Sequence, residues 1–288
     1  MPDHATSLMD LPRTIAEADA VMREIAQDVG TVILCVSERD LVFNRENVID
    51  AVAAAHRAGL QVFIDPWGAF GIFGGEHFSG YLAGGGKACL KEPSFIEWLM
   101  KYISLAVEAG ADGMFWDEPH LSCGCCSTYE FIKLATRRAK AVGLQNEVCT
   151  PPFGLLWRLL KKVAALAGVD IISSNAYYDI PGFKHRYKLP HVQVTAVASR
   201  LASIGRQSGK KIRLWISLFK KIEMAGYEHV LMRSAIMIIA DAASAAGVTS
   251  FATWAHGGCE SVSSLWPNGR REQCAEVQLV ASQIFHRT

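Results

Sequence analysis

The sequence has almost no net charge, because 29 lysines and arginines balance 28 aspartates and glutamates to leave +1. This balance gives no electrostatic reason to expect a nucleic acid or an anionic membrane as partner. The Lys161–Lys162 pair falls in an amphipathic stretch, which favours a solvated helix face over a binding patch. We therefore expect no nucleic-acid partner and no membrane partner.

We expect no secretory leader from residues 1–7, and the sequence has no long uninterrupted apolar run. Residues 1–7 contain neither a basic nor an apolar region. The most apolar long stretch, residues 234–254, is interrupted by Asp241 and Gly247, which favours a buried helix followed by a strand. Eight cysteines in 288 residues do not form a typical disulfide scaffold. We expect reduced thiols and a cytoplasmic location.

Nucleotide-binding signatures are absent as well. No G-x-G-x-x-G follows the first clear strand, and no Walker A motif occurs anywhere in the chain. These absences weigh against the nucleotide-binding open sheets, and we expect no cofactor.

What the sequence does contain is a recurring unit, in which a helical stretch ends at a glycine and a short β-rich run follows. A glycine just after a helix adopts the left-handed conformation at low cost. The unit predicts seven strands, at residues 31–37, 61–66, 113–118, 146–150, 169–176, 212–219 and 248–254. A weaker candidate at residues 3–8 brings the count to eight.

Helical spacing fills the intervals between these strands. The predicted helices cover residues 13–29, 45–58, 95–108, 128–141, 152–167, 192–206, 222–246 and 271–287. Ser127 and Glu130 form a capping box at the start of one of them. Strands that alternate with helices predict a parallel sheet with right-handed crossovers.

The predicted fold is therefore α/β, a single (β/α)8 TIM barrel over residues 1–288 with an irregular first strand. A long glycine-rich loop at residues 66–92 would lie on the active face. Without the first strand, a doubly wound open sheet is the alternative.

The sharpest chemical signal is the sequence Trp116-Asp117-Glu118-Pro119-His120 at a strand end. Active sites of such barrels lie at the C-terminal ends of the strands. Adjacent strand residues point to opposite faces, so Asp117 and Glu118 both enter the mouth only if Pro119 lets the second one turn inward. A carboxylate in a low-dielectric mouth has a tunable pKa, as acid–base catalysis requires. The alternative is that one carboxylate forms a salt bridge and the other caps a helix.

Further polar and aromatic side chains fall at other predicted strand ends and in the long loop. Aromatic rings stack on sugar rings, and carboxylates accept hydrogen bonds from sugar hydroxyls. The candidates for substrate binding are Glu38, Asp65, Trp67, Glu76, His77, His120, Asn175, Tyr177, Trp215, Trp254 and His256. For the loop, the alternative is an insertion packed by its own aromatic residues.

Three cysteines, Cys123, Cys125 and Cys126, follow His120 closely. Structural zinc sites usually contain two cysteine pairs, and the second pair is missing locally, although Cys89, Cys149 or Cys259 can approach in space. We expect a cysteine-rich turn without a metal. Cys35 and Cys149 fall within strands and are predicted to be small buried hydrophobes. A catalytic pair of Cys123 with His256 is a minor alternative.

The segment from Gly113 to Pro119 resembles the nucleophile strand of retaining α-glycosidase barrels, and the chain as a whole resembles glycoside-hydrolase-type TIM barrels. In these relatives an aromatic-rich strand ends in a catalytic aspartate, which corresponds to Asp117. The resemblance implies an acid/base at the end of the sixth strand, where Asp179 is the matching residue. The chain departs from the clan with catalytic glutamates on strands four and seven, since residues 217–221 contain no carboxylate.

We therefore expect a glycosidase acting on a glycoside or oligosaccharide, with Asp117 as nucleophile or base. Glu118 would act as acid or orienting group, and Asp179 and Glu76 compete for the role of proton donor. The sequence specifies neither the sugar nor the oligomeric state.

Two other functions stay open. The first is a metal-dependent sugar isomerase, aldolase or hydrolase. The absence of an H-x-H motif at a strand end counts against it. Its ligands would come from Glu38, Asp65, Asp117, His120 and His256. The second is a non-catalytic carbohydrate-binding barrel.

Overall fold

Eight parallel strands close into a barrel in a computed structural model of the chain. The structure describes residues 3–68, 88–121, 123–151, 156–175, 190–216, 219–222, 226–230 and 233–253, with residues 282 and 285. The strands are β1 Ala5–Leu8, β2 Thr31–Cys35, β3 Gln61–Asp65, β4 Gly113–Asp117, β5 Gln145–Thr150, β6 Ile171–Asn175, β7 Lys211–Ile216, β8 Phe219–Ile222, β9 Gly226–Val230 and β10 Phe251–Thr253. The barrel consists of β1 to β7 in chain order, and β10 closes it.

Closure depends on the strand whose sequence signal is weakest. β1 pairs in parallel with β2, Ala5 opposite Thr31, and with β10, Ala5 opposite Ala252. This pairing confirms the predicted (β/α)8 TIM barrel and excludes the open-sheet alternative.

Helices separate the barrel strands as the sequence predicts. They are α1 Ile15–Ile25, α2 Glu38–Phe43, α3 Arg45–Arg57, α4 Pro93–Ala109, α5 Thr128–Ala141, α6 Leu156–Ala164, α7 Pro190–Ser208 and α8 Arg233–Ala245. Ser127 forms the predicted capping box with Glu130, and Gly110 ends α4 in the left-handed conformation. None of the helices in the described part of the chain is both long and apolar enough to cross a membrane.

The prediction of one helix over residues 222–246 is wrong. β8 and β9 form an antiparallel hairpin, and α8 begins only at Arg233. Apolar residues at helical spacing extended across the segment, but Gly226 and the β-forming residues Tyr227 and Val230 favour a strand. Because residues 222–246 were taken as one segment, the change from strand spacing to helical spacing within it was missed.

The end of the second strand was also placed too late. β2 ends at Cys35, and Glu38 is the first residue of α2, a short helix that the sequence analysis missed. Ser37 and Asp40 form a capping box there, so the local signal for a helix start was present.

Strand alternation divides the core into two layers. Outward-facing side chains such as Met114 and Trp116 pack between the barrel and its helices. The inward layer fills the barrel with Ala5, Ile33, Phe63, Phe115, Cys149, Ile171, Trp215 and Ala252. Packing is close there, since a Cβ on Gly113 would lie 2.5 Å from the Phe63 ring. The interior of the barrel is therefore filled, and these side chains form an apolar layer beneath its C-terminal mouth.

A buried ion pair lies on the N-terminal side of this apolar layer. Glu147 and Arg213 are 0% and 1% exposed, and the Arg213 guanidinium donates to a Glu147 carboxylate oxygen. Arg213 also donates to Ser250 Oγ at 3.3 Å and lies 3.5 Å from Asp3 Oδ1. Burial raises the pKa of Glu147, and the positive charge of Arg213 opposes that rise.

Removing only the cation of this pair should destabilise the barrel strongly. We expect Arg213→Met to lower the free energy of unfolding by about 3–5 kcal/mol, because Glu147 is left as an uncompensated buried charge. The double variant Arg213→Met/Glu147→Gln should recover much of that loss. Urea unfolding measures both values.

The exposed pair of Arg45 and Glu108 provides the control. Arg45→Met should cost less than about 1 kcal/mol, because water screens an exposed ion pair. Equal losses for Arg213→Met and Arg45→Met would contradict a structural role for the buried pair.

Candidate active site

Carboxylates gather at the C-terminal ends of β3 and β4. Asp65 is the last residue of β3, two positions after the inward-facing Phe63, and Asp117 is the last residue of β4, two positions after Phe115. Alternation therefore directs both carboxylates towards the barrel axis. Asn175 ends β6 on the same rim. The C-terminal rim is where enzymes of this fold place their active sites.

Glu118 joins this group through an unusual backbone conformation. Its φ is +43°, and it is the one non-glycine residue with positive φ in the described part of the chain. The left-handed conformation costs a non-glycine residue about 1–2 kcal/mol. The Glu118 amide donates to Cys149 O at 3.1 Å, which holds the turn against β5. Such strain persists where surrounding contacts fix it and is concentrated at functional sites.

The turn places the Glu118 carboxylate against β6 instead of outside the barrel. Asn175 Nδ2 donates a hydrogen bond to Glu118 Oε1. Cys149 Sγ donates to Asn175 Oδ1 at 3.1 Å, so the two ends of the amide have distinct partners. In an extended strand, Asp117 and Glu118 would point to opposite faces. Both carboxylates reach one site because the chain leaves the strand before Pro119.

Asp65 has one oxygen available for a ligand. Cys35 Sγ lies 3.7 Å from Asp65 Oδ2 and donates to it. The other oxygen, Oδ1, is buried and has no hydrogen bond to any residue that the structure describes. A buried acceptor without a partner is costly, which favours a bound hydroxyl or water at this atom.

Burial dominates the electrostatics of the site. It raises the pKa of Asp117 well above the ordinary value, and the charges of Glu118 and Asp65 raise it further. It also raises the pKa of Glu118 to about 7, against the opposing hydrogen bond from Asn175. The pKa of Asp65 is raised by the same loss of solvation. These carboxyl groups therefore hold a proton more tightly than exposed ones do, and Glu118 can both donate and accept one near neutral pH.

Three of the predicted substrate-binding residues lie away from open solvent at the mouth. Trp215 is 3% exposed and packs inside the barrel, 5.1 Å from the Phe115 ring. Trp67 belongs to the outer core, between the barrel and its helices. Glu38 is buried at the start of α2.

His120 is exposed, and its Nδ1 lies 3.3 Å from Glu118 O. The remaining predicted site residues lie outside the described part of the chain. They are Glu76, His77, Tyr177, Asp179, Trp254 and His256.

The two cysteines predicted to be small buried hydrophobes, Cys35 and Cys149, are buried, and each also donates a hydrogen bond to a residue of the candidate site. Cys35 donates to Asp65, and Cys149 donates to Asn175. Burial and the charge of Asp117 raise the pKa of the Cys149 thiol, so it remains a neutral donor. The alternation of side chains along β5 could have indicated this, since Cys149 lies two positions after Glu147 and therefore also faces into the barrel.

A second cluster joins three cysteines of the loop after β4 to Cys89, which lies just before α4. The sulfur atoms of Cys89, Cys123, Cys125 and Cys126 all lie within 4.8 Å of one another. Among the described residues, this is the only group of three or more histidines, cysteines or acids close enough to share a metal ion. Of the ligands predicted for the metal-dependent alternative, Glu38, Asp65, Asp117 and His120 form no such group in the described part of the chain, and His256 lies outside it.

No family model matches this chain, and no curated protein matches it in sequence. In structure it is similar to TIM-barrel glycoside hydrolases. A GH5_18 enzyme from Bifidobacterium longum subsp. infantis superposes with a TM-score of 0.70 at 11% identity, over 100% of this chain and 79% of that one. A GH5_18 enzyme from Streptomyces cattleya, in complex with GlcNAc, gives 0.66 at 14% identity, over 99% and 80%. The citrate synthase SbnG gives 0.51 at 12% identity, over 99% and 96%. These similarities show the fold alone.

The backbone strain at Glu118 can be measured with two variants that both remove the carboxylate. We expect Glu118→Gly to be more stable than Glu118→Ala by about 1 kcal/mol, because glycine adopts a positive φ without a Cβ clash. Chemical unfolding of the two variants gives the difference.

The exposed Glu97 within α4 should show the opposite order. There Glu97→Ala should be more stable than Glu97→Gly by about 1 kcal/mol, as alanine is the better helix former. The same order at both positions would mean that Glu118 carries no left-handed strain.

Proposed function

We propose that this chain is a glycoside hydrolase and that Glu118 and Asp117 are its catalytic carboxylates. The observation that carries the proposal is the strained turn that brings Glu118, with a pKa of about 7, beside the inward-facing Asp117 at the barrel mouth. Glycoside hydrolysis generally uses two carboxyl groups, one of them an acid with a raised pKa. The similarity to TIM-barrel glycoside hydrolases supports the same class of reaction.

Glu118 is the proton donor in this proposal. A pKa of about 7 leaves a substantial protonated fraction at neutral pH and matches the requirement for proton transfer to a leaving oxygen. Asn175 fixes the carboxyl group through one oxygen and leaves the other for the glycosidic oxygen. The hydrogen bond from Cys149 orients Asn175 in turn.

Asp117 is the second carboxylate and acts as nucleophile or base. Its ionisation is opposed by the charges of Glu118 and Asp65, so the two catalytic groups compete for one proton. The reactive arrangement has the proton on Glu118 and the charge on Asp117. Asp65 Oδ1 is positioned to accept a hydrogen bond from a sugar hydroxyl.

The alkaline limb of the pH profile should report the ionisation of Glu118. Because a general acid must be protonated, kcat/KM should fall as the pH rises through about 7. Glu118→Gln should remove that limb and lower kcat/KM about 10²–10⁴-fold for substrates with poor leaving groups. Aryl glycosides with activated leaving groups should lose much less, since they need little protonation. A panel of aryl α- and β-glycosides, starting with N-acetylglucosaminides and mannosides, measures these values.

Glu97→Gln, a charge removal on the outer face of α4, is the matched control and should leave the profile unchanged. If Glu118→Gln retained wild-type turnover and its alkaline limb on a confirmed substrate, Glu118 would not be the acid. Asp179 and Glu76 would then be tested in the same way.

Asp117→Asn should reduce turnover whatever the leaving group. We expect kcat to fall at least about 10³-fold with both activated and poor leaving groups, because a nucleophile or base acts in every turnover. Single-turnover kinetics on the same panel separate this effect from that of Glu118→Gln. Wild-type turnover by Asp117→Asn would eliminate Asp117 as a catalytic group. Sugar binding by the wild-type protein without hydrolysis, unchanged by Asp117→Asn, would favour a carbohydrate-binding barrel.

A further inference from the structure

We propose that Cys89, Cys123, Cys125 and Cys126 bind one zinc ion as a structural site beside the barrel mouth. The proposal is independent of the catalytic assignment, because none of the four cysteines belongs to the acidic group of Asp65, Asp117 and Glu118.

The spacing of the sulfur atoms fits a single tetrahedral ion. Cys89 Sγ lies 3.4 Å from Cys125 Sγ and 3.9 Å from Cys126 Sγ, and the last two are 3.8 Å apart. A tetrahedron with Zn–S bonds of about 2.3 Å has sulfur–sulfur edges of about 3.8 Å. An iron–sulfur cluster distributes its thiolate ligands over several iron atoms and therefore needs wider separations than these.

The chain is built locally to hold three ligands in one turn. Gly124, between Cys123 and Cys125, has a φ of +70°, which lets the loop reverse tightly. Cys126 directly precedes Ser127, the N-cap of α5, and so lies next to the positive end of that helix. Cys125 is exposed and Cys126 is half-buried, which leaves a path by which the ion can enter.

The fourth ligand comes from a different part of the chain. Cys89 is buried and lies just before α4, 34 positions ahead of Cys123. Lys91 follows Cys89 by two positions.

The site would join residues 88–92, which precede α4, to the loop that follows β4. Glu118 begins that loop, five positions before Cys123. Four thiolates complete the tetrahedral coordination of zinc and leave no open position for a substrate. The ion therefore fixes the loop behind Glu118 and takes no part in the chemical step.

Metal analysis of the full-length protein tests the proposal. The protein is purified under reducing conditions, incubated with Zn²⁺, freed of unbound metal and examined by mass spectrometry for metals. We expect about one zinc per chain in the wild type and near-zero zinc in Cys125→Ser and Cys126→Ser. Cys35→Ser is the matched control and should retain one equivalent, because Cys35 is a buried cysteine outside the cluster.

Two further readouts report the site without any activity assay. Substitution with Co²⁺ should give the intense visible absorption of tetrahedral thiolate coordination, and Cys125→Ser should lose it. Chelation of the zinc should lower the Tm by about 5 °C or more in the wild type and leave the Tm of Cys125→Ser unchanged.

Several outcomes would overturn the proposal. Wild-type protein without metal after incubation, whether its thiols are free or a disulfide joins two of these cysteines, would exclude the site. Iron with acid-labile sulfide in place of zinc would replace a single ion with a cluster. Zinc retained by Cys125→Ser and Cys126→Ser but lost in Asp117→Asn would move the metal to the acidic group and contradict the proposed hydrolytic mechanism instead.

Discussion

The candidate active site depends on the backbone conformation of a single residue, Glu118. Along β4, alternation sends Phe115 and Asp117 into the barrel and Trp116 outward, where its Nε1 donates to Asn146 Oδ1 at 2.8 Å. An extended Glu118 would follow Trp116 to the outer face. The left-handed turn, held by Cys149 O and Asn175, is what brings two successive carboxylates to one rim.

The raised pKa values of the carboxylates follow from the apolar layer that lies beneath them inside the barrel. Phe115 and Trp215 fill the barrel interior, and Cys35 and Cys149 supply thiol donors where ordinary hydroxyl donors would stabilise ions better. Poor solvation disfavours the charged form of a carboxylate, and burial is therefore the largest cause that raises the pKa of Asp117 and of Glu118. Burial thus raises the pKa of Glu118 to about 7, which is what the proposed role as proton donor requires.

The parts of this architecture that the sequence predicted are those with local causes. Glycines at helix ends and short β runs predicted the barrel, whereas Pro119 indicated only that an inward turn of Glu118 was possible. The hairpin at residues 219–230 was missed because its period was averaged with that of α8. Which cysteine completes the group near Cys123 was undetermined, because the meeting of Cys89 with that loop depends on how two crossover connections pack. Residues distant in sequence meet only through the fold, and no local pattern reports that.

The two clusters beside the mouth also change what a bound metal means for the mechanism. If zinc is held by four thiolates, its presence in the purified protein is compatible with hydrolysis by carboxylates, because no ligand position remains for substrate. Metal content alone therefore does not separate a glycosidase from a metal-dependent barrel enzyme. The discriminating property is the identity of the ligands. Sulfur coordination assigns the ion to the loop that supports Glu118, whereas oxygen coordination would assign it to Asp65 and Asp117 and make those groups ligands instead of acids.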